Sequence, residues 1–233
     1  MNGLLAVWND CDAHMLSRYE DWYMHEHLPD RVGLEGVLNG VRYEVAGGKN
    51  SPGSPRFFTS YDLADVEVLN SPAYQQMLQT PSALTQEIMP HFLNMWRTVA
   101  QLRAHAGRSA GAWIVTLRLG QLLGSAAPRP TDLRSWTDLL AHTAPPRACR
   151  WRVYESIIAT QTRQDTEAAA KPSPEARFRP GTDASAHAVV LIEHLREADA
   201  RSTLDEWLYS PAVRALLAPQ DRIDIFLEMA RMT

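Results

Sequence analysis

The chain has 233 residues, 45% hydrophobic and 21% charged, the usage of an ordinary globular protein long enough to bury a sizeable core. Its 23 basic and 27 acidic residues give a net charge of −4, which argues against a general grip on a nucleic-acid backbone, and no apolar run approaches the ~20 residues of a membrane span. Cys11 and Cys149 match no zinc or redox spacing and the first residues lack the basic region of a signal peptide, so the expected setting is reducing and cytoplasmic, with no nucleic-acid or membrane partner.

In chain order, residues 4–8 read as a short apolar strand and residues 16–27 as a helix, with Asp12 as a plausible N-cap. Residues 41–45 alternate apolar and polar, and residues 57–62 form the next strand. A helix is expected over 65–78, and a strand within 95–102 completes a β-α-β-β-α-β unit. Residues 105–111, with two glycines and a serine, serve as a connector. The second half supplies strands at 113–119, 150–156, 189–195 and 223–229, with helices over 133–141 and 204–217.

The two halves echo each other. Ser71-Pro72-Ala73-Tyr74 reappears as Ser210-Pro211-Ala212-Val213, and Arg42-Tyr43-Glu44 as Val153-Tyr154-Glu155. The later pair is spaced wider by about 28 residues, which fits the polar stretch 160–185, broken by Pro172, Pro174, Pro180 and Gly181. That stretch is expected to be a surface excursion that packs against nothing. The fold class expected is α+β, with two tandem ferredoxin-like repeats, residues 1–106 and 107–233. Each has one sheet face under helices and another that needs cover, so the two sheets should close one α+β barrel as an intrachain pseudo-dimer. A further homodimer is compatible with this plan.

The segment Trp22-Tyr23-Met24-His25-Glu26-His27-Leu28-Pro29, followed by Gly36 and Arg42-Tyr43, resembles the helix-to-strand region of EthD-like proteins in the dimeric α+β barrel superfamily. The segment opening with Ser71-Pro72-Ala73-Tyr74 and the stretch from Phe92 to Arg97 are similar to the same superfamily. The resemblance covers residues 3–105 best. It implies small enzymes or ligand binders, with activities that include cofactor-free oxygenation of aromatic polyketides, cyclisation, lactone isomerisation and haem-dependent chlorite or peroxide chemistry.

On a helical wheel His27 returns to within about 20° of Leu16, with Tyr23 on the same stripe and His25 on the opposite face. An inward imidazole can take or give a proton near pH 7, so His27 is the candidate acid/base, with Tyr43 or Tyr23 holding an oxyanion. The alternative for His27 is a buried residue that orders the helix end. Trp8, Tyr23, Tyr43 and Tyr61 are candidate walls of one cavity, Asp62 could orient the imidazole, and His91 and Trp96 are further candidate contacts. Histidines two apart on a helix cannot chelate one ion, so no metal is expected there, and no sequence feature demands a cofactor. In the second half His142 falls off the apolar stripe, so a working histidine is expected in the first half alone. The functional expectation is a protein that binds a small aromatic or polyketide-like molecule. Its chemistry would be metal-free proton transfer, as a cofactor-free isomerase, cyclase, lyase or monooxygenase. Non-catalytic ligand binding and haem- or oxygen-dependent catalysis are the alternatives.

Overall fold

A computed structural model describes residues 2–48, 54–122, 132–157, 174–180 and 183–233. Eight antiparallel strands form a closed barrel in the order β1-β3-β2-β8-β5-β7-β6-β4. They are β1 (Gly3–Cys11), β2 (Val37–Val45), β3 (Phe57–Leu63), β4 (Phe92–Gly107), β5 (Trp113–Leu122), β6 (Ala148–Ser156), β7 (Ser185–His194) and β8 (Arg222–Met232). Within the first half the order is β4-β1-β3-β2, and within the second it is β8-β5-β7-β6. Two seams join the halves: β2 pairs with β8, and β4 with β6. The connector expected at 105–111 is shorter, because β4 continues to Gly107, where pairing with β6 holds it.

The alternation of side chains along each strand sends one set into the barrel and the other outward under the helices. Leu4, Ala6, Trp8, Val41, Tyr43, Phe58, Trp96, Ile114, Tyr154, Leu191 and Phe226 belong to the interior cluster. Trp8 stacks on Phe58 with ring centres 4.7 Å apart, and Tyr43 covers Phe58 at 5.4 Å. Ion pairs line the same interior: Arg118 to Asp224 at 2.6 Å, and Arg152 to Asp62 and Glu193 at 2.7 and 2.8 Å. The interior is therefore occupied by side chains.

Outside the wall lie two helical layers. The first holds one continuous rod made of α1 (Leu16–Trp22), a π-helical turn (Tyr23–His27) and α2 (Leu28–Val32). The expectation that this helix stops before Pro29 fails, because the wider turn moves the preceding carbonyls away from the proline ring. At Gly40 a Cβ would lie 2.7 and 2.8 Å from the side chains of Leu28 and Val32, so the missing side chain brings the rod down onto β2. The helix expected over 65–78 is broken at Ser71. A 3-10 turn, Val66–Asn70, precedes α3 (Pro72–Gln79), where Ser71 caps the backbone N–H of Tyr74 at 3.2 Å. Next comes α4 (Ala83–Ile88), capped by Ser82. The second layer holds α5 (Leu133–Thr143), capped by Asp132. The helix expected over 204–217 divides into α7 (Glu197–Ser202), a π-helical turn (Thr203–Trp207) and α8 (Pro211–Arg214).

The stretch expected to pack against nothing does pack at its described end. Residues 158–173 and 181–182 lie outside the described residues, but α6 (Pro174–Arg177) lies against α3 of the first half. Glu175 is buried, and Phe178 packs on the first helical layer. Polar, proline-rich composition predicts no packing face. It misses the one buried carboxylate that finds a cation 144 residues away, Arg31.

Because each half has a sheet face and two strand edges covered by the other, residues 1–106 expressed alone should aggregate or self-pair. Light scattering on the purified fragment checks this; a stable monomer would contradict it.

Candidate functional site

The first helical layer contrasts with the second in polarity. Under α5, α7 and α8 the outward residues of β5, β6 and β7 include Val115, Leu117, Leu119, Trp151, Val153, Ala188, Val190 and Ile192, an apolar set broken at the end of β7 by His194, which bonds Thr203 at 3.0 Å. Under the first rod the corresponding wall carries Asn9, Arg42, Thr59 and Tyr61, all buried. Above it stand Tyr19, Trp22, Tyr23 and His27. Trp22 is fixed by hydrogen bonds from Nε1 to Thr85 Oγ1 and Glu26 Oε1, both 3.1 Å. The Tyr19 hydroxyl and the Asn9 amide exchange bonds of 3.0 and 3.3 Å.

His25 is exposed and His27 is half-buried, with the His27 ring 4.4 Å from Trp22 and 5.0 Å from Tyr23. Among the described residues no hydrogen bond reaches its ring nitrogens. Burial holds its pKa well below the ordinary value, and Arg31, Arg179 and Arg42 push it the same way. The imidazole is thus neutral at pH 7. The Tyr23 hydroxyl lies 3.5 Å from that of Tyr61, and burial raises the Tyr61 phenol well above its usual range. The neutral base thus packs on Trp22 and Tyr23 and feels the charge of three guanidinium groups.

The insertion completes this layer. Arg31 Nη2 donates to both oxygens of Glu175, at 2.8 and 2.7 Å, and its guanidinium lies 5.5 Å from the centre of the Tyr74 ring. Arg179 follows on the same segment, paired with Asp183 at 2.6 Å. Sequence reading missed Arg31, Glu175 and Arg179. An arginine two residues after Pro29 and a glutamate inside a proline-rich stretch carry no spacing signal.

The other candidates separate. Trp8 and Tyr43 face into the barrel, so they share no cavity with Tyr23, Tyr61 and His27; the wall stands between them. Tyr43 follows Val41 and Val45, as its strand position predicts, and both faces of β2 are covered. Asp62 accepts from Asn39 at 3.0 Å and from Arg152 at 2.7 Å, so it orients no imidazole. Trp96 is in the interior under the Arg118 guanidinium, 4.6 Å from its ring centre. His91 donates to or accepts from Asp12 at 2.8 Å, with the His14 ring 5.1 Å away. Asp12 thus makes no side-chain cap to the helix that follows. Asp12, His14 and His91 each offer one ligand atom within 4.8 Å of the others, a grouping the sequence spacing did not reveal. His142 is exposed and bonds the carbonyl of Asp138. A shallow open depression of about 410 Å³ lies at the β4–β6 seam beside α5, lined by Arg103, Leu133, Arg134, Thr137, Asp138 and Glu155. It contains no buried titratable group.

No protein-family model matches this chain, and no protein of curated function matches its sequence. Solved structures do. An anthrone oxidase-like protein superposes with a TM-score of 0.62 at 9% identity, over 99% of this chain and 92% of the other. A proposed monooxygenase from Fusobacterium nucleatum gives 0.54 at 7% identity, over 99% and 94%. A variant chlorite dismutase from Candidatus Nitrospira defluvii, in complex with cyanide, gives 0.54 at 9% identity, over 98% and 91%. At these identities the likeness establishes the fold, an α+β barrel spanning the whole chain. No described helix is long and apolar enough to cross a membrane.

Two measurements test this geometry. Below pH ~6.5 the unfolded chain protonates its histidines, whereas the depressed His27 stays neutral in the fold. Stability should therefore fall as pH drops through that value, by up to about 1.4 kcal/mol from this residue at pH 5.5. His194, lowered mainly by burial, adds a loss of the same sign. Urea unfolding should show a smaller acid loss in His27→Gln than in the parent; equal losses would contradict the assignment. Separately, Glu175→Ala leaves Arg31 buried without its carboxylate and should cost about 3–5 kcal/mol. A cost below about 1 kcal/mol would show that the insertion is not docked.

Proposed function

We propose that the first helical layer binds a small aromatic or polyketide-like molecule and that His27 moves a proton on it. The chain is read as two ferredoxin-like units of the EthD-like kind, residues 1–106 and 107–233, with the working site in the first. The observation that carries this is His27 itself: neutral, half-exposed, free of hydrogen bonds among the described residues, and set among Arg31, Arg42 and Arg179.

The cations that disfavour imidazolium also favour an anion on the substrate. When an acidic C–H next to an aromatic carbonyl gives its proton to His27, the C–H bonding pair moves into the ring system and negative charge develops on the carbonyl oxygen. The enolate and the imidazolium form together, so the net charge of the layer is unchanged. The guanidinium field stabilises the enolate in low dielectric. Tyr23 and Tyr61 are the hydroxyls placed to donate to that oxygen, in the role that the sequence assigned to Tyr43 or Tyr23. Return of the proton to another carbon gives isomerisation, and attack by the enolate carbon on a second carbonyl gives cyclisation. Haem does not fit this layer: the Trp22 and Tyr23 rings pack on His27 at 4.4 and 5.0 Å, where a porphyrin ligated by His27 would lie.

Anthrone, with a methylene group conjugated to an aromatic carbonyl, is the probe. In deuterated buffer the protein should speed exchange of that methylene by about 10²–10⁴-fold, followed by proton NMR. His27→Gln should fall to the background rate while still quenching its tryptophan fluorescence on binding anthrone, and His25→Ala should match the parent. Undiminished exchange in His27→Gln would contradict the proposal.

A further inference from the structure

Arg42 is fully buried, and none of its three guanidinium nitrogens has a hydrogen-bond partner among the described residues. The other buried arginines among the described residues, Arg31, Arg118 and Arg152, each meet a carboxylate. Arg42 meets ring faces instead: its guanidinium lies 4.4 Å from the centre of Tyr23, 4.7 Å from Phe57 and 4.9 Å from Tyr19. Directly across the β2–β3 ladder is Thr59, equally buried, whose Oγ1 also lacks a partner. Two neighbouring donors on one face are thus desolvated with nothing to donate to. Cation–π contact offsets part of the cost of burying a charge, but it leaves the N–H groups unused.

The second half shows what the fold does when it needs packing alone. The residue preceding Tyr154 is Val153, paired across the ladder with Val190, and both are fully buried. Where that half places two valines, the first half places Arg42, which precedes Tyr43, and Thr59 across the ladder from it.

We propose that Arg42 and Thr59 form a subsite for the anionic oxygen of a planar aromatic ligand, a phenolate, enolate or carboxylate attached to fused rings. The inference rests on the reading of this layer as the ligand site and names the charge its ligand carries. The guanidinium fork and the threonine hydroxyl would donate to the oxygen while the ring system takes the place of aromatic side chains now stacked on Arg42. Tyr23, which covers the guanidinium, and the half-exposed His27 sit on the same π-helical turn. A ligand would reach Arg42 by displacing that turn, which removes Tyr23 from the guanidinium and leaves Tyr19 and Phe57 beside it.

The test compares 9-anthracenecarboxylate with 9-anthracenemethanol, equal in ring system and different in charge, by fluorescence titration of the full chain. The parent should prefer the carboxylate by about 10–100-fold. Arg42→Met should bind the two alike and should unfold about 2–4 °C higher, because an unpaired buried charge is replaced by an apolar chain of similar reach. Thr59→Val should lose several-fold of the preference. An equal affinity of the parent for both probes, a preference that survives Arg42→Met, or an Arg42→Met variant that unfolds at lower temperature would overturn the proposal. The anthrone exchange separates the two readings. Anion preference without exchange would refute His27 as a base and keep this subsite, and exchange without anion preference would do the reverse. Failure of the parent to bind either probe would overturn both.

Discussion

Closure of the barrel through the β2–β8 and β4–β6 seams is the constraint on which the rest of the structure depends. A closed wall has two buried faces, so every strand residue is committed to the interior or to a helical layer, and residues on opposite sides cannot meet. The interior is settled by stacked aromatics and by ion pairs such as Arg152 with Asp62 and Glu193. With that space occupied, chemistry is left to the layers outside, and the first of them holds the larger set of buried polar side chains.

That division explains what could and could not be read in the sequence. The positions of most strands along the chain and the one-barrel outcome follow from hydrophobic periodicity and from sheet faces that need cover. The position of Tyr43 with Val41 and Val45 was legible from a period of two. Which of those two faces meets the helices was not, because both faces of β2 are buried and alternation alone does not label them. Grouping Trp8 and Tyr43 with Tyr23 and Tyr61 crossed the wall for that reason. Arg42 was visible as the residue facing away from Tyr43. A central strand position occupied by arginine was the available signal, and it pointed to the polar layer.

The helix phase was legible within limits. His25 outside and His27 inward follow from 3.6 residues per turn, and the π-helical turn at Tyr23–His27 leaves His27 half-buried rather than fully inward. Such a turn has no composition of its own, so it is invisible to periodicity. Pro29 inside a continuing rod is its one trace. The docking of Glu175 on Arg31 was illegible in a stronger sense, since a single ion pair formed at long sequence separation leaves no pattern in either segment. Propensity fixes elements; it does not fix which insertion reaches across a barrel.

The central claim is that the first layer holds a neutral imidazole near guanidinium groups of which one, Arg42, meets no carboxylate among the described residues. The direct measurement is the nitrogen chemical shift of His27 in ¹⁵N-labelled protein, followed from pH 8 to pH 5. The His27 ring is expected to keep the shifts of a neutral imidazole as the pH falls through the ordinary histidine value of about 6.5. A His27 that protonates at that value would contradict it.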